Sequence, residues 1–264
     1  MKTGFVGIIG RPNVGKSTLL NAILGEKIAI TTEKPQTTRN AIRGIYTHYS
    51  DDELPEDLQM IFIDTPGIHR PRTKLGSYMT DAAIGTLKEV DAIIFIVDDK
   101  LSDGPGDKYI VDLLDDVVTP KILVINKIDK MQPDEFAEIY KEYEDLGLFE
   151  EIIGVSAKEG THVENVIKEV AQFMEEGPMY FPDDMITEHP ERFVVSEIIR
   201  EKILMYLQDE VPHGVAVEIE QYKEEEKITK IHAVIYCEKK SHKGMIIGKG
   251  GRKLKGIGKS AREE

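Results

Sequence analysis

Gly10-Arg11-Pro12-Asn13-Val14-Gly15-Lys16-Ser17 decides the reading of this chain. The stretch has the form G-x-x-x-x-G-K-[ST], in which backbone N–H groups wrap a phosphate, a lysine meets the terminal phosphates and a hydroxyl ligates a divalent cation. Such a loop needs a strand before it and a helix after it. Residues 3–9 are a short apolar run, and Leu19, Leu20, Ile23 and Leu24 recur at helical spacing. The helix adds the positive end of its dipole to the anion site. In this reading Lys16 contacts the β- and γ-phosphates and Ser17 ligates Mg²⁺, with Thr18 beside them in the nucleotide-binding set.

Outward from the loop, further strands are expected at 41–48, 58–63, 92–97, 121–125 and 151–155. Amphipathic helices are expected at 73–89, 107–117, 134–146 and 161–174. Strands alternating with helices predict an α/β domain over residues 1–175, an open and mostly parallel sheet with helices on both faces. Ligands bind such sheets at the carboxyl ends of the strands. Residues 176–190 hold three prolines and read as a linker. Residues 191–264 form a smaller α+β unit, with a helix at 192–208, strands at 215–222 and 228–238, and short helices at 242–247 and 251–262.

Polar groups stand where the expected strands end. Asp64-Thr65-Pro66-Gly67 closes the third strand, placing a carboxylate toward the metal and a side-chain-free N–H toward the γ-phosphate. Asn126-Lys127-Ile128-Asp129 follows the fifth. Guanine offers N1–H and a 2-amino group side by side, and the Asp129 carboxylate accepts both; adenine would leave a buried acceptor unmatched. Asn126 braces the neighbouring loop and the Lys127 stem lies over the base. Ser156-Ala157-Lys158 follows the sixth strand, where a backbone N–H meets the guanine O6. Thr37 and Thr38 lie in a polar stretch between the first helix and the second strand, and a threonine there completes Mg²⁺ coordination and senses the γ-phosphate. Ile68 follows Gly67 and cannot orient a water, so intrinsic turnover is expected to be slow. His69 is a second candidate, but a water attacking phosphorus needs orientation more than a strong base.

In the smaller unit, Ile247-Gly248-Lys249-Gly250-Gly251 has the I-G-x-x-G form that clamps about four nucleotides between two helices. Arg252 and Lys253 follow it. Residues 241–264 carry seven lysines and arginines against Glu263 and Glu264, a local charge of +5 in a chain of net charge −14. The overall charge opposes bulk nucleic-acid binding, whereas the local patch favours phosphate contact. Cys237 is the single cysteine, so an internal disulfide is impossible, in keeping with the cytoplasm. No apolar run approaches the ~20 residues that span a bilayer.

The loop at 10–17, Pro35-Gln36-Thr37-Thr38-Arg39, Asp64-Thr65-Pro66-Gly67, Asn126-Lys127-Ile128-Asp129, Ser156-Ala157-Lys158 and Phe181-Pro182-Asp183-Asp184-Met185-Ile186-Thr187 together resemble the translation-factor-related GTPases, specifically the Era family. The likeness runs along essentially the whole chain. It implies a GTP-hydrolysing switch in which Lys16, Thr38 and Gly67 serve catalysis, and Ser17, Thr38 and Asp64 serve Mg²⁺. It favours Thr38 over Thr37, and gives Asn13 a part in holding K⁺. It also implies a C-terminal KH domain that binds the 3′ end of small-subunit (16S) ribosomal RNA and assists maturation of the 30S subunit. The family's KH domain runs beyond the equivalent of Glu264, so that domain is expected to be C-terminally incomplete here. A monomer is expected. A peripheral place on the inner face of the cell membrane belongs to the family picture, though no distinctive basic amphipathic helix supports it. Two other readings are a nucleotide-insensitive RNA scaffold and a related tRNA-modification GTPase, which requires a further catalytic domain.

Overall fold

The computed structural model describes residues 1–32, 41–68, 80, 83–85, 87, 89–102, 105–207 and 214–264. It contains two compact units, one of Met1–Ala29 with Thr38–Glu188, the other of Ile30–Thr37 with His189–Glu264.

The first unit is built on β1 (Lys2–Gly10), β2 (Ile42–His48), β3 (Leu58–Asp64), β4 (Ala92–Val97), β5 (Lys121–Ile125) and β6 (Glu151–Gly154). Their order across the sheet is β2-β3-β1-β4-β5-β6. β3, β1, β4, β5 and β6 run parallel, and β2 lies antiparallel to β3, from Ile42 opposite Asp64 to His48 opposite Leu58. The mostly parallel sheet expected from the sequence is therefore present. Side-chain alternation splits its core between two faces. Ile94 and Ile96 of β4 pack with Leu19 and Leu20 of α1 (Lys16–Leu24) and Val166 of α4 (Val163–Ala171). Ile93, Phe95 and Val97 pack with Ile110 and Leu114 of α2 (Pro105–Leu114) and Ile139 and Tyr143 of α3 (Pro133–Glu144). Both faces are covered, which is why the central strands are near-continuous apolar runs.

Element ends depart from the sequence reading for local reasons. α2 starts at Pro105 rather than 107, because proline suits the first helical turn. α3 starts at Pro133, with Gln132 and Glu135 closing a capping box; the chain turns at Gly147, where φ is +59°. The fourth helix stops at Ala171 instead of 174, and a two-residue strand follows, β7 (Glu175–Glu176), antiparallel to Lys2 and Thr3 of β1. β4 pairs with β1 only from Val6 onward, which leaves that edge of Lys2 and Thr3 for β7. Of the helix expected at 73–89, Leu75, Met79 and Ala82 lie outside the described residues, while Ala83 and Leu87 are buried.

The segment read as a linker is fastened to the first unit along much of its length. Gln59, fully buried in β3, accepts the N–H groups of Tyr180 and Phe181 at 2.7 and 2.9 Å and donates to the Phe181 carbonyl at 2.8 Å. The Ile45 N–H donates to the Ile186 carbonyl, and the Thr187 hydroxyl to that of Arg43.

The second unit has α5 (Glu191–Tyr206) against a hairpin of β8 (Val215–Glu225) and β9 (Ile228–Cys237), followed by α6 (Lys240–Ile247) and α7 (Arg252–Glu263). The hairpin runs three residues past the expected end at 222, with a register shift between Ile219 and Gln221. Ile203, Leu207, Val215, Ile246 and Ile257 form its core.

Candidate nucleotide site and nucleic-acid interface

The sheet order reverses about β1, so β3 and β4 leave to opposite sides, and the loop at 10–17 lies at the carboxyl end of β1. A ligand crevice opens at such a point. The loop's backbone requires its residue types. Gly10 has φ +153° and Gly15 φ +108°; Asn13, at φ +68°, takes a left-handed conformation that asparagine tolerates. A Cβ on Gly10 would stand 2.5 Å from the Ile96 carbonyl oxygen, and one on Gly15 2.1 Å from Asn126 Nδ2. Gly67 packs against Pro12 so closely that a Cβ there would stand 2.7 Å from its ring and its nitrogen.

Lys16 is buried at the start of α1 and donates to the carbonyls of Gly10 at 3.1 Å and Arg11 at 2.7 Å. Burial lowers its pKa to about 8 against the opposing pull of Asp64. The Ser17 hydroxyl donates to Asp64 Oδ2 at 2.6 Å, bringing together the two sequence-predicted oxygen ligands at the ends of different elements. Thr65 binds the Ile8 carbonyl through both its N–H and its hydroxyl, fixing the exit from β3. Ile68 is buried and donates its N–H to the Gly10 carbonyl, so its side chain belongs to the core. Thr18 stands in the first turn of α1. Thr37, Thr38 and His69 lie outside the described residues.

The loops at 126–129 and 156–158 join the loop at 10–17 through side chains. Asn126 Nδ2 donates to the Val14 carbonyl at 2.7 Å, while Asn126 Oδ1 accepts the Ala157 N–H at 3.0 Å. Lys127, at φ +67°, reaches the Asn13 carbonyl at 2.8 Å. Asp129 accepts the Ser156 hydroxyl at 2.6 Å, and this bond holds its carboxyl below the usual carboxylate range, ready as an ionised acceptor. Lys158 is exposed and pairs with Glu159.

Asp98 and Asp107 were not singled out in the sequence. Asp98 follows β4 and accepts Arg11 Nη2 at 3.1 Å and Lys127 Nζ at 2.5 Å; Asp107, fully buried in the first turn of α2, accepts Arg11 Nε at 2.7 Å. The available signal was position: Asp98 stands one residue beyond a strand whose carboxyl end lines the crevice.

In the second unit the glycine loop joins α6 to α7. Gly248, Gly250 and Gly251 have φ of +69°, +61° and +76°. A Cβ on Gly250 or Gly251 would meet nothing within 4 Å, so the surface above them is open. Lys249, Arg252 and Lys253 are exposed, Ile247 is half-buried, and the neighbouring Ile246 anchors α6 in the core. The basic run thus stands in solvent on a framework held from beneath.

Comparison with known proteins bears on both sites. Residues 5–127 match a family described as 50S ribosome-binding GTPase, and residues 210–264 match the KH domain. The chain is 60% identical over 265 residues to GTPase Era of Alkaliphilus oremlandii, covering all of this chain and 88% of the relative. It is 56% identical to GTPase Era of Clostridioides difficile, covering all of this chain and 87% of that protein. Among solved structures, Era in complex with MgGDPNP and nucleotides 1506–1542 of 16S ribosomal RNA superposes with a TM-score of 0.90 at 38% identity, covering all of this chain and 88% of that one. An Aquifex aeolicus Era variant bound to GDP·AlF4⁻ gives 0.89 at 37% identity, with the same coverage. With 60% identity to a GTPase Era over its whole length and both family models matched, the chain belongs to the Era family of GTPases.

Proposed function

We propose that this GTPase binds Mg·GTP at residues 10–18, 64–67, 126–129 and 156–158, and that its nucleotide state governs engagement of the 16S ribosomal RNA 3′ end by residues 247–253, in service of 30S subunit maturation. The observation that carries the nucleotide half is Asn126: one buried amide ties the phosphate loop to the loop at Ser156–Lys158, leaving Asp129 ionised beside them. The RNA half is supported by the open glycine loop with its exposed cations, and by the RNA-bound Era structure whose fold this chain shares.

The residues fit a magnesium ion. A hydroxyl and a buried carboxylate, Ser17 and Asp64, are hard oxygen donors of the kind Mg²⁺ takes together with substrate phosphates. When bound, Mg²⁺ neutralises charge on the β- and γ-phosphate oxygens. Lys16 supplies a second cation to those oxygens, and Gly67 an N–H with no side chain to obstruct it. Thr38 is the residue that would add a further oxygen donor to the ion and so respond to the γ-phosphate. Asn13 contributes to a K⁺ site, which equal hydrolysis rates in Na⁺ and K⁺ buffers would refute. We place the protein in the cytoplasm as a monomer. Among the described residues no helix is long and apolar enough to cross a membrane. Peripheral association with the inner membrane face is tested by sedimentation with anionic vesicles.

The deciding experiment is binding of a single-stranded oligonucleotide from the 16S rRNA 3′ end, with a non-hydrolysable GTP analogue and with GDP. Tighter binding in the GTP-analogue state, lost in a Lys249→Asp/Gly250→Asp double variant, is expected. Equal affinity in both states favours a nucleotide-insensitive RNA scaffold. The tRNA-modification reading draws no support from Cys237, which stands half-buried at the end of β9.

A further inference from the structure

We propose that Asp98 and Asp107 are positioning residues that hold the phosphate loop and the guanine-reading loop as one body, so that both loops keep or release guanine nucleotide together. The inference rests on the nucleotide-site reading above and adds two residues that none of its motifs contains.

The geometry is a chain of ion pairs. Asp107 Oδ2 accepts Arg11 Nε at 2.7 Å, and Asp98 Oδ1 accepts Arg11 Nη2 at 3.1 Å, so two carboxylates fix one guanidinium. The other oxygen of Asp98 takes Lys127 Nζ at 2.5 Å, and that ammonium also reaches the Asn13 carbonyl at 2.8 Å. Arg11 passes the constraint onward through its backbone, because its carbonyl accepts Lys16 Nζ at 2.7 Å. The Arg11 stem lies against the first turn of α2, where a Cβ on Gly106 would stand 2.7 Å from Arg11 Cδ. Two carboxylates outside the loops thus set the place of one lysine at the phosphates and one at the base.

Burial of Asp107 has a cost that packing alone does not explain. Desolvation raises its pKa to about 6 against the opposing pull of Arg11. Among the described residues its Oδ1 is buried without a hydrogen-bond partner, as is the hydroxyl of Tyr143, whose ionisation is opposed by burial and then by Asp107. An apolar side chain would relieve that cost, since a buried ion pair is seldom the most stable solution. The presence of a carboxylate behind the phosphate loop is accounted for by what it holds.

The sign of the pH effect follows. The folded-state pKa lies above the unfolded one, so the fold holds the extra proton between pH ~4 and ~6, and the ionisation of Asp107 lowers stability as pH rises through that window. Its grip on Arg11 runs the other way, complete above about 6 and lost below. The charged and titratable groups acting on Asp107 are Arg11 and Lys16 from the phosphate loop and α1, Asp98 and Asp99 beyond β4, and Tyr143 from α3.

The test is the dissociation rate of fluorescent mant-GDP from the full chain, measured by stopped flow, beside thermal unfolding. Asp98→Asn and Asp107→Asn are each expected to speed release ~10-fold, the scale of losing a hydrogen bond between charged groups. Arg11→Ala should do the same, and combining it with Asp107→Asn should add little, because both remove one link. Release from the wild type should accelerate as pH falls through about 6, and that inflection should vanish in Asp107→Asn. Should Asp107→Asn fail to fold, Asp98→Asn and Arg11→Ala carry the test. Wild-type release rates in these variants, with or without a lowered melting temperature, would overturn the proposal while leaving the nucleotide site intact. Failure of the wild type to bind mant-GDP at all would overturn the underlying site reading, and this inference with it.

Discussion

Glycine has opposite meanings at the two sites of this molecule. At Gly10, Gly15 and Gly67 an added Cβ would stand 2.5, 2.1 and 2.7 Å from the Ile96 carbonyl, the Asn126 amide and Pro12. At Gly250 and Gly251 it would meet nothing within 4 Å. The loop at 10–17 needs glycine because protein already fills the space, and side chains such as Asp98, Asp107, Asn126 and Lys127 fasten it there. In the loop at 247–251 glycine is required by the backbone angles, with clear space at Gly250 and Gly251, while at Gly248 a Cβ would stand 2.9 Å from the Lys253 side chain. One site is built inward by tertiary contacts; the other is presented outward on a small core.

The largest test of that contrast is Gly15→Ala. With φ at +108° and Asn126 in the way, the change should cost nucleotide affinity ~100-fold or more, the scale of several kcal/mol from a steric clash at a special backbone angle. Titration of mant-GDP checks it. Asn126→Ala comes next. Removing the amide strands the Val14 carbonyl and the Ala157 N–H in a buried place, which at ~2 kcal/mol predicts ~30-fold weaker binding. Gln59→Ala strands two N–H groups of the 177–188 segment, and should lower the stability of the first unit by ~2 kcal/mol in urea unfolding while nucleotide affinity holds. Gly251→Ala should cost only ~1 kcal/mol, the price of a left-handed alanine with open space around it, and should leave mant-GDP binding unchanged. Smallest is Arg43→Ala, whose pair with Glu188 is exposed; its loss should shift stability by less than ~0.5 kcal/mol.

The same contrast explains what was legible. The phosphate loop, the Asn126–Asp129 stretch and the I-G-x-x-G loop could be read because each packs its chemistry into a few consecutive residues between recognisable elements. The strands could be read because both sheet faces are covered, leaving apolar runs such as Ala92–Val97. Asp107 and Gln59 could not, because their partners stand about one hundred and about one hundred and twenty positions away in the chain, and Asp98 had only its place beyond β4 to mark it. β7 escaped for a different reason. Glu175 and Glu176 carry no apolar pattern, and pair only because β4 leaves the first residues of β1 uncovered.

The central claim is that nucleotide state and RNA engagement are coupled, and coupling in binding is reciprocal. The most direct measurement is the affinity of the chain for a GTP analogue and for GDP, each with and without saturating 16S 3′-end oligonucleotide. RNA should raise the preference for the GTP analogue over GDP by the same factor as the analogue, relative to GDP, raises RNA affinity, and the Lys249→Asp/Gly250→Asp variant should remove both effects. A nucleotide preference unmoved by bound RNA would contradict that coupling.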